Sequence, residues 1–218
     1  MVKAQLTDDC GLDGVRPVKQ MRGRRSRDRL LDAGQKLVAT RPFDALSVAD
    51  FARAAGCSVG AFYLRFRDKD AFFGALVAQY VAEVRTETDA LFAAHTGDRL
   101  IDALVSGTTD RFRRYAGLIR SAIRKRMEDA SVWEPIRRSG HVNADCFVDW
   151  LAKHRGTALN PAEEMSVRFA FQVLYGTLNN ALANEPGPLD IADPHFLPHL
   201  ERAFRLVLLS PGKAPALE

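Results

Sequence analysis

Residues 47–72, SVADFARAAGCSVGAFYLRFRDKDAF, contain three helix starts and a helix stop in close succession. Ser47 suits an N-cap, with Asp50 three residues later, and Val48, Phe51, Ala52 and Ala55 share one face of a short helix. Gly56 suits its end, because glycine takes positive φ without steric cost. Ser58 is then placed to cap another helix two residues on. Two short helices across a three- or four-residue turn containing glycine are helix-turn-helix punctuation. The small residues Gly56, Cys57, Gly60 and Ala61 are expected to close the turn and let the following helix approach another backbone. Phe62 and Phe66, four apart, anchor that helix and leave Tyr63 on its outer side. Cys57 reads as a turn-filling residue, with a redox-sensitive thiol at a helix start as the alternative.

The rest of the chain has helical period throughout. Leu30, Gly34, Leu37 and Val38 define a helix from Ser26 that Pro42 closes. Asp68 suits the cap of a long helix in which Phe72, Leu76, Tyr80 and Val84 repeat every four residues. Further helices are expected near 98–114, 117–128, 131–154, 162–184 and 194–209, separated by glycines and prolines. Alternating β-type segments are absent. The expected fold is all-α, with an N-terminal three-helix helix-turn-helix domain followed by a larger helical domain. Residues 1–25 are expected to form a flexible basic arm, 26–70 the helix-turn-helix domain, and 71–218 the larger domain.

Charge separates these regions. From Arg16 to Arg67 there are 12 Lys/Arg against 4 Asp/Glu, a net of +8, whereas Asp68 to Glu218 carries 18 against 20, a net of −2. The densest run is MRGRRSRDR, residues 21–29, which is either a solvated tail or an arm for a polyanion. No apolar run approaches the roughly 18 residues a membrane span needs. Cys10, Cys57 and Cys146 are widely spaced and odd in number, which fits a reducing cytoplasm better than a disulfide framework. No glycine loop of the phosphate-cradling type follows a strand. His195 and His199 are four apart but belong to no complete metal motif. No catalytic residue, metal or cofactor is expected.

Residues 30–77 resemble the DNA-binding domain of tetracycline-repressor (TetR) family regulators. The resemblance rests on Ser47, Ala52, Ala55-Gly56, Tyr63, Phe66 and Lys69 at the family's spacing. Departures are Ala61 for a usual threonine, Gly34 for alanine, Pro42 for glycine and Phe51 for isoleucine. The remaining two-thirds resembles the family only in length and helical content.

The resemblance implies a double-stranded DNA operator, a homodimer and a small-molecule effector as partners. It implies phosphate contacts from Tyr63 and Lys69. Ser47 and Ser58 stand at helix N-termini that suit phosphate oxygens. Base reading is expected of Val59, Gly60, Ala61 and Arg65, because the leading turn of a recognition helix faces the major groove. Arg24, Arg25 and Arg27 either enter an adjacent minor groove or remain solvated. A dimer interface is expected from Val167, Phe171, Leu174 and Leu178 with Phe196, Leu200, Phe204 and Val207, the alternative being that both stripes lie inside one chain. An effector cavity is expected among Phe112, Tyr115, Met127, Trp133, His141, Phe147, Trp150 and Tyr175, although aromatics at helical spacing also make plain core. The function these imply is a ligand-responsive transcriptional repressor. The alternative is a constitutive DNA binder whose C-terminal domain only dimerises.

Overall fold

The computed structural model describes residues 21–209, with side chains from Arg24 onward. Among the described residues there are nine α-helices and no strand: α1 (Met21–Thr40), α2 (Val48–Ala54), α3 (Val59–Tyr63), α4 (Lys69–Ala94), α5 (Asp98–Arg114), α6 (Ala116–Lys125), α7 (Glu134–Arg155), α8 (Pro161–Asn184) and α9 (Phe196–Leu208). Short 3-10 turns at Phe43–Ala45 and Ala130–Val132 join α1 to α2 and α6 to α7. No helix among them is long and apolar enough to cross a membrane. The expected arm falls mainly in residues 1–20, outside the described residues. α1 begins at Met21, earlier than the expected Ser26, so Arg24 and Arg25 are helical rather than part of an arm. Arginine favours helix, and Gly23 stands in the first turn, where a glycine costs least.

The chain divides into two compact units. One holds residues up to Thr86 together with Tyr115–Pro135; the other holds Glu87–Arg114 and everything from Ile136. The division falls inside α4 rather than at residues 70/71, and α6 folds with the helix-turn-helix. Gly117 accounts for the placement of α6. A Cβ there would lie 1.8 Å from the Val38 carbonyl oxygen, so the backbones of α6 and α1 meet at a point only glycine fits. One turn on, the buried Ser121 hydroxyl accepts from the Phe43 N–H at 3.4 Å and donates to the Gly117 carbonyl at 2.8 Å.

The first unit is centred on phenylalanines. Phe72 on α4 has ring centroids 4.8, 5.1 and 4.9 Å from Phe51, Phe62 and Phe66. Gly34 on α1 leaves room for it, since a Cβ would sit 2.6 Å from Phe72 Cζ. Glycine at 34 thus makes room for the large ring at 72.

The second unit is built on α5, α7, α8 and α9. Phe171 and Phe204 cross at 5.4 Å, with Phe147 5.8 Å from Phe171. Asn160 caps α8 by accepting from the N–H groups of Ala162 and Glu163, while Glu163 accepts from the Asn160 N–H, and Pro161 occupies the first turn.

Two glycine-to-alanine changes in helices are expected to act in opposite directions. Gly74, exposed on α4, has nothing within 4 Å of an added Cβ, so Gly74→Ala stabilises by up to about 1 kcal/mol through helix propensity. Gly117→Ala must separate two backbones and destabilises by about 3 kcal/mol, at the upper end of overpacking costs. Thermal melts of the two variants check this.

Candidate nucleic-acid interface

The turn between α2 and α3 is fixed by backbone hydrogen bonds. Gly56 has φ of 64°; the Cys57 N–H donates to the Ala52 carbonyl at 2.9 Å and the Gly56 N–H to that of Arg53 at 3.1 Å. This pair of bonds is the Schellman stop that a glycine after a helix permits. At the start of α2, Asp50 Oδ2 accepts from the Ser47 N–H at 2.9 Å and from the Ser47 hydroxyl at 2.7 Å, while Ser47 Oγ accepts from the Asp50 N–H at 3.1 Å. The Ser47 proton is therefore spent inside the capping box, and the Ser47 hydrogen bonds hold the Asp50 carboxyl below its ordinary range. Ser58 caps α3 by accepting from the Ala61 N–H at 3.1 Å.

α3 has five residues and two unlike sides. Phe62 is fully buried, as is Phe66 just beyond the helix. Val59, Tyr63 and Leu64 are 42%, 46% and 58% exposed, and Gly60 is exposed with them. Ala61 is half-buried. The expectation that Gly60 lets the helix approach another backbone of this chain is not met. A Cβ at Gly60 would meet only Ser58 Oγ, at 3.8 Å, so its small size serves no internal contact. Arg65, half-buried, reaches the Leu64 carbonyl at 3.5 Å, and its Nε is buried without a partner.

Lys69 opens α4 and is held by its own chain. Its Nζ donates to the Asp44 carbonyl at 3.1 Å and stands 4.8 Å above the Phe43 ring. Burial lowers its pKa. Lys125 on α6 approaches the same ring at 5.8 Å and donates to Asp70 at 2.8 Å. Burial opposes its charge, but the Asp70 hydrogen bond and charge outweigh that and leave its pKa raised. Arg24 and Arg25 are exposed on the first turns of α1, and Arg27 is half-buried.

These features coincide with a family signature: residues 30–76 match the family model described as bacterial regulatory proteins, tetR family. That segment is similar to the DNA-binding part of TetR-family regulators. It is 34% identical over 86 residues to the uncharacterized HTH-type transcriptional regulator YwcC of Bacillus subtilis (strain 168), a match over 39% of this chain. The chain spans about a third of the length of that relative, 36%. Two solved structures share the fold at low identity. A TetR-family regulator from Mesorhizobium loti MAFF303099 has a TM-score of 0.67 at 18% identity, over 87% of this chain and 98% of its own. A transcriptional regulator from Rhodococcus sp. RHA1 has a TM-score of 0.68 at 20% identity, over 87% of this chain and all of its own.

The residues expected to line an effector cavity lie in both units. Tyr115 lies in the first unit, its ring 5.0 Å from Tyr80 and its hydroxyl donating to Glu83. Met127 is 82% exposed, and Trp133 lies half-buried under the Arg126 guanidinium. In the second unit Phe112 and Tyr175 have ring centroids 6.2 Å apart, and Trp150 stacks between Phe147 and His154. His141 is exposed on α7. The eight expected effector residues are thus divided between two units. None of them lines the groove of about 360 Å³ between α8 and α9, which Thr177, Leu189 and His199 border.

Seven of the eight expected interface residues lie in the chain's own core: Val167, Phe171, Leu174 and Leu178 on α8, and Phe196, Leu200 and Phe204 on α9. Val207 is half-buried. The most apolar stripe of each helix is the one that hydrophobic burial claims first, within the chain. The exposed large apolar residues are Met165 and Phe169 on α8, and Leu206 with Leu209 on and just beyond α9. Their spacings of four and three are legible in the sequence as a second, weaker stripe.

Sequence reasoning also missed Arg111, Glu87 and Asn143. Arg111 is 2% exposed and falls on the stripe of α5 set by Leu100, Leu104 and Thr108, where a cation is out of pattern. That break in the pattern was the available signal.

The start of α4 gives a pH-dependent test. Asp68 accepts from the Ala71 N–H at 2.7 Å, and this bond, with Arg67 adding to it, lowers the Asp68 pKa. A carboxyl whose folded pKa is depressed adds stability above its unfolded value, about 3.9, and loses it as pH falls through the folded value. Asp68→Ala is therefore expected to melt below wild type at neutral pH, with the gap narrowing in acid below about pH 3.9.

Proposed function

We propose that this protein is a TetR-family transcriptional repressor that binds a palindromic operator as a homodimer and leaves it when a small-molecule effector binds. The observation that carries the reading is the outward side of α3, where Val59, Gly60, Tyr63 and Leu64 are exposed although Phe62 and Phe66 are fully buried. A side chain is missing at Gly60 where the protein itself has room for one, and such gaps suit close approach of a ligand's surface.

Val59 and Ala61 offer methyl groups to thymine, and Arg65 offers donors to guanine or to a phosphate. Tyr63 offers its phenol to a phosphate, a contact that sets register without reading sequence. Ser58 keeps its own hydroxyl proton for an acceptor, and Ser47 acts through the backbone it caps. Lys69 acts by seating the start of α4 on Phe43 and Asp44 and by adding its charge to the surface. Arg24 and Arg25 on α1 extend the positive field along the duplex.

A recognition helix this short needs a twofold partner, with the two copies about one DNA turn, or roughly 34–36 Å, apart. The exposed apolar faces of α8 and α9, centred on Phe169 and Leu206, suit that partner, and Gly176 on the same exposed side of α8 permits close approach. An effector need favour the non-binding form by only about 1–3 kcal/mol to change operator affinity by roughly 5- to 150-fold.

Gel-shift titration against duplexes selected from genomic fragments tests the DNA reading. Gly60→Leu is expected to weaken binding at least about tenfold with a melting temperature no lower than wild type, because its side chain meets the duplex and not the protein. Tyr63→Phe is expected to weaken every sequence alike by about 2- to 10-fold, the worth of one hydrogen bond. Equal affinity for all duplexes, unaltered by either change, contradicts the reading. For the assembly, Phe169→Asp is expected to turn a sedimenting dimer into a helical monomer; wild type that sediments as a monomer at micromolar concentration contradicts the homodimer.

A further inference from the structure

The second unit buries a cation. Arg111 on α5 is 2% exposed, and its Nη1 donates to Glu87 Oε2 at 2.8 Å. Its Nη2 reaches the Thr108 hydroxyl at 3.3 Å, a long contact. The guanidinium presents five N–H donors in a planar fork that matches a carboxylate edge in bidentate fashion. Glu87 does not meet the fork that way. Its other oxygen, Oε1, accepts from Arg114 at 2.6 Å, so one carboxylate is divided between two guanidiniums. Glu87 and Arg114 are 30% and 51% exposed, so this side of Arg111 leads to solvent.

A second donor lies in the same unit, on a ring 6.2 Å from that of Phe112, the residue after Arg111. Asn143 Nδ2 donates to the Tyr175 hydroxyl at 2.8 Å, so that hydroxyl acts as an acceptor and its own proton has no acceptor among the described residues. Burial raises the Tyr175 pKa, with the Asn143 bond and the Arg111 charge opposing, so the phenol keeps its proton at neutral pH. Beside Asn143, Gly140 of α7 also lies against the ring, where an added Cβ would fall 3.1 Å from Tyr175 Cε2. One buried cation, one unspent hydroxyl donor and aromatic walls suit a small molecule with an anionic head and an apolar body.

We propose that the effector is an organic acid whose carboxylate replaces that of Glu87 on Arg111 and accepts the Tyr175 hydroxyl proton at its second oxygen. This rests on the ligand-responsive reading and names the effector's chemical class. A carboxylate fits because one planar edge satisfies the fork and carries one charge, leaving the rest of the molecule to the aromatic walls. The exchange releases Glu87, which lies on α4, the helix that carries Lys69 at its start.

The test is titration calorimetry on the full chain with benzoate, 4-phenylbutyrate and octanoate. Each is paired with its neutral amide, and phenyl phosphate is run alongside. At least one acid is expected to bind saturably, with its amide at least about tenfold weaker, the loss of a charge-assisted bond. Arg111→Met is expected to lose about tenfold or more in acid affinity and Tyr175→Phe about tenfold, whereas Glu87→Gln is expected to bind the acid severalfold more tightly because the competing charge is gone. A purely structural role for the pair would not give Glu87→Gln and Arg111→Met opposite signs. Circular dichroism verifies that each variant is folded, and Tyr175→Phe with Glu87→Gln decides the matter if Arg111→Met is not.

The proposal is overturned if no acid binds at millimolar concentration, if amides or phenyl phosphate bind as well as the acids, or if Glu87→Gln weakens acid binding. Operator affinity measured in the same samples distinguishes the two claims. Acid binding that leaves it unchanged contradicts the ligand-responsive reading and leaves the acid site standing. Neutral compounds that shift it while acids do not bind contradict the acid site alone.

Discussion

The arrangement around α3 depends on the Phe72 ring. A helix of five residues has no stability of its own, since isolated helices shorter than about 12–15 residues are marginal in water. α3 is ordered because Phe62 within it and Phe66 just after it lie against Phe72, which also touches Phe51 on α2. Removing one such ring costs about 3–5 kcal/mol, against a total stability of about 5–15 kcal/mol for a typical domain. The outer side of α3 is thereby relieved of packing duty. Exposed Val59, Gly60, Tyr63 and Leu64 are tolerated because the inner side does the anchoring.

The same first unit draws in a segment far along the chain. α6 meets α1 at Gly117, hydrogen bonds to the α1–α2 connection through Ser121, and supplies Lys125 to Asp70. Phe43 in that connection has two lysines near its ring, Lys69 and Lys125, so the start of α4 and the end of α6 are tied to one aromatic face. Cation–π contacts are each worth about 0.5–2 kcal/mol, small beside the phenylalanine core but directional.

Much of this was legible in the sequence. Ser47, Gly56, Ser58 and Asp68 mark their helix ends through local chemistry that needs no tertiary context, and each forms the expected bonds. Phe62 and Phe66 are inside and Tyr63 outside because a spacing of four puts the first two on one side of the chain. The placement of α6 was not legible, because it depends on contacts between residues distant in sequence, the backbone contact of residues 38 and 117 foremost. The apolar stripes of α8 and α9 were visible, but periodicity says only that a face is buried, not in which molecule; Phe171 and Phe204 bury each other. Aromatic composition likewise drew attention to Met127 and His141, which are exposed, and away from Arg111, whose burial depends on Glu87 from another helix.

Hydrogen exchange on the complex with a selected duplex tests the central claim most directly, that α3 is held from within so that its outer side meets DNA. Amides of residues 58–65 and those at the start of α2 are predicted to gain protection on binding, while those of α8 and α9 in the second unit stay unchanged in a sample that is already dimeric. Protection confined to the second unit, or a bound duplex that leaves α3 exchanging as before, would contradict it.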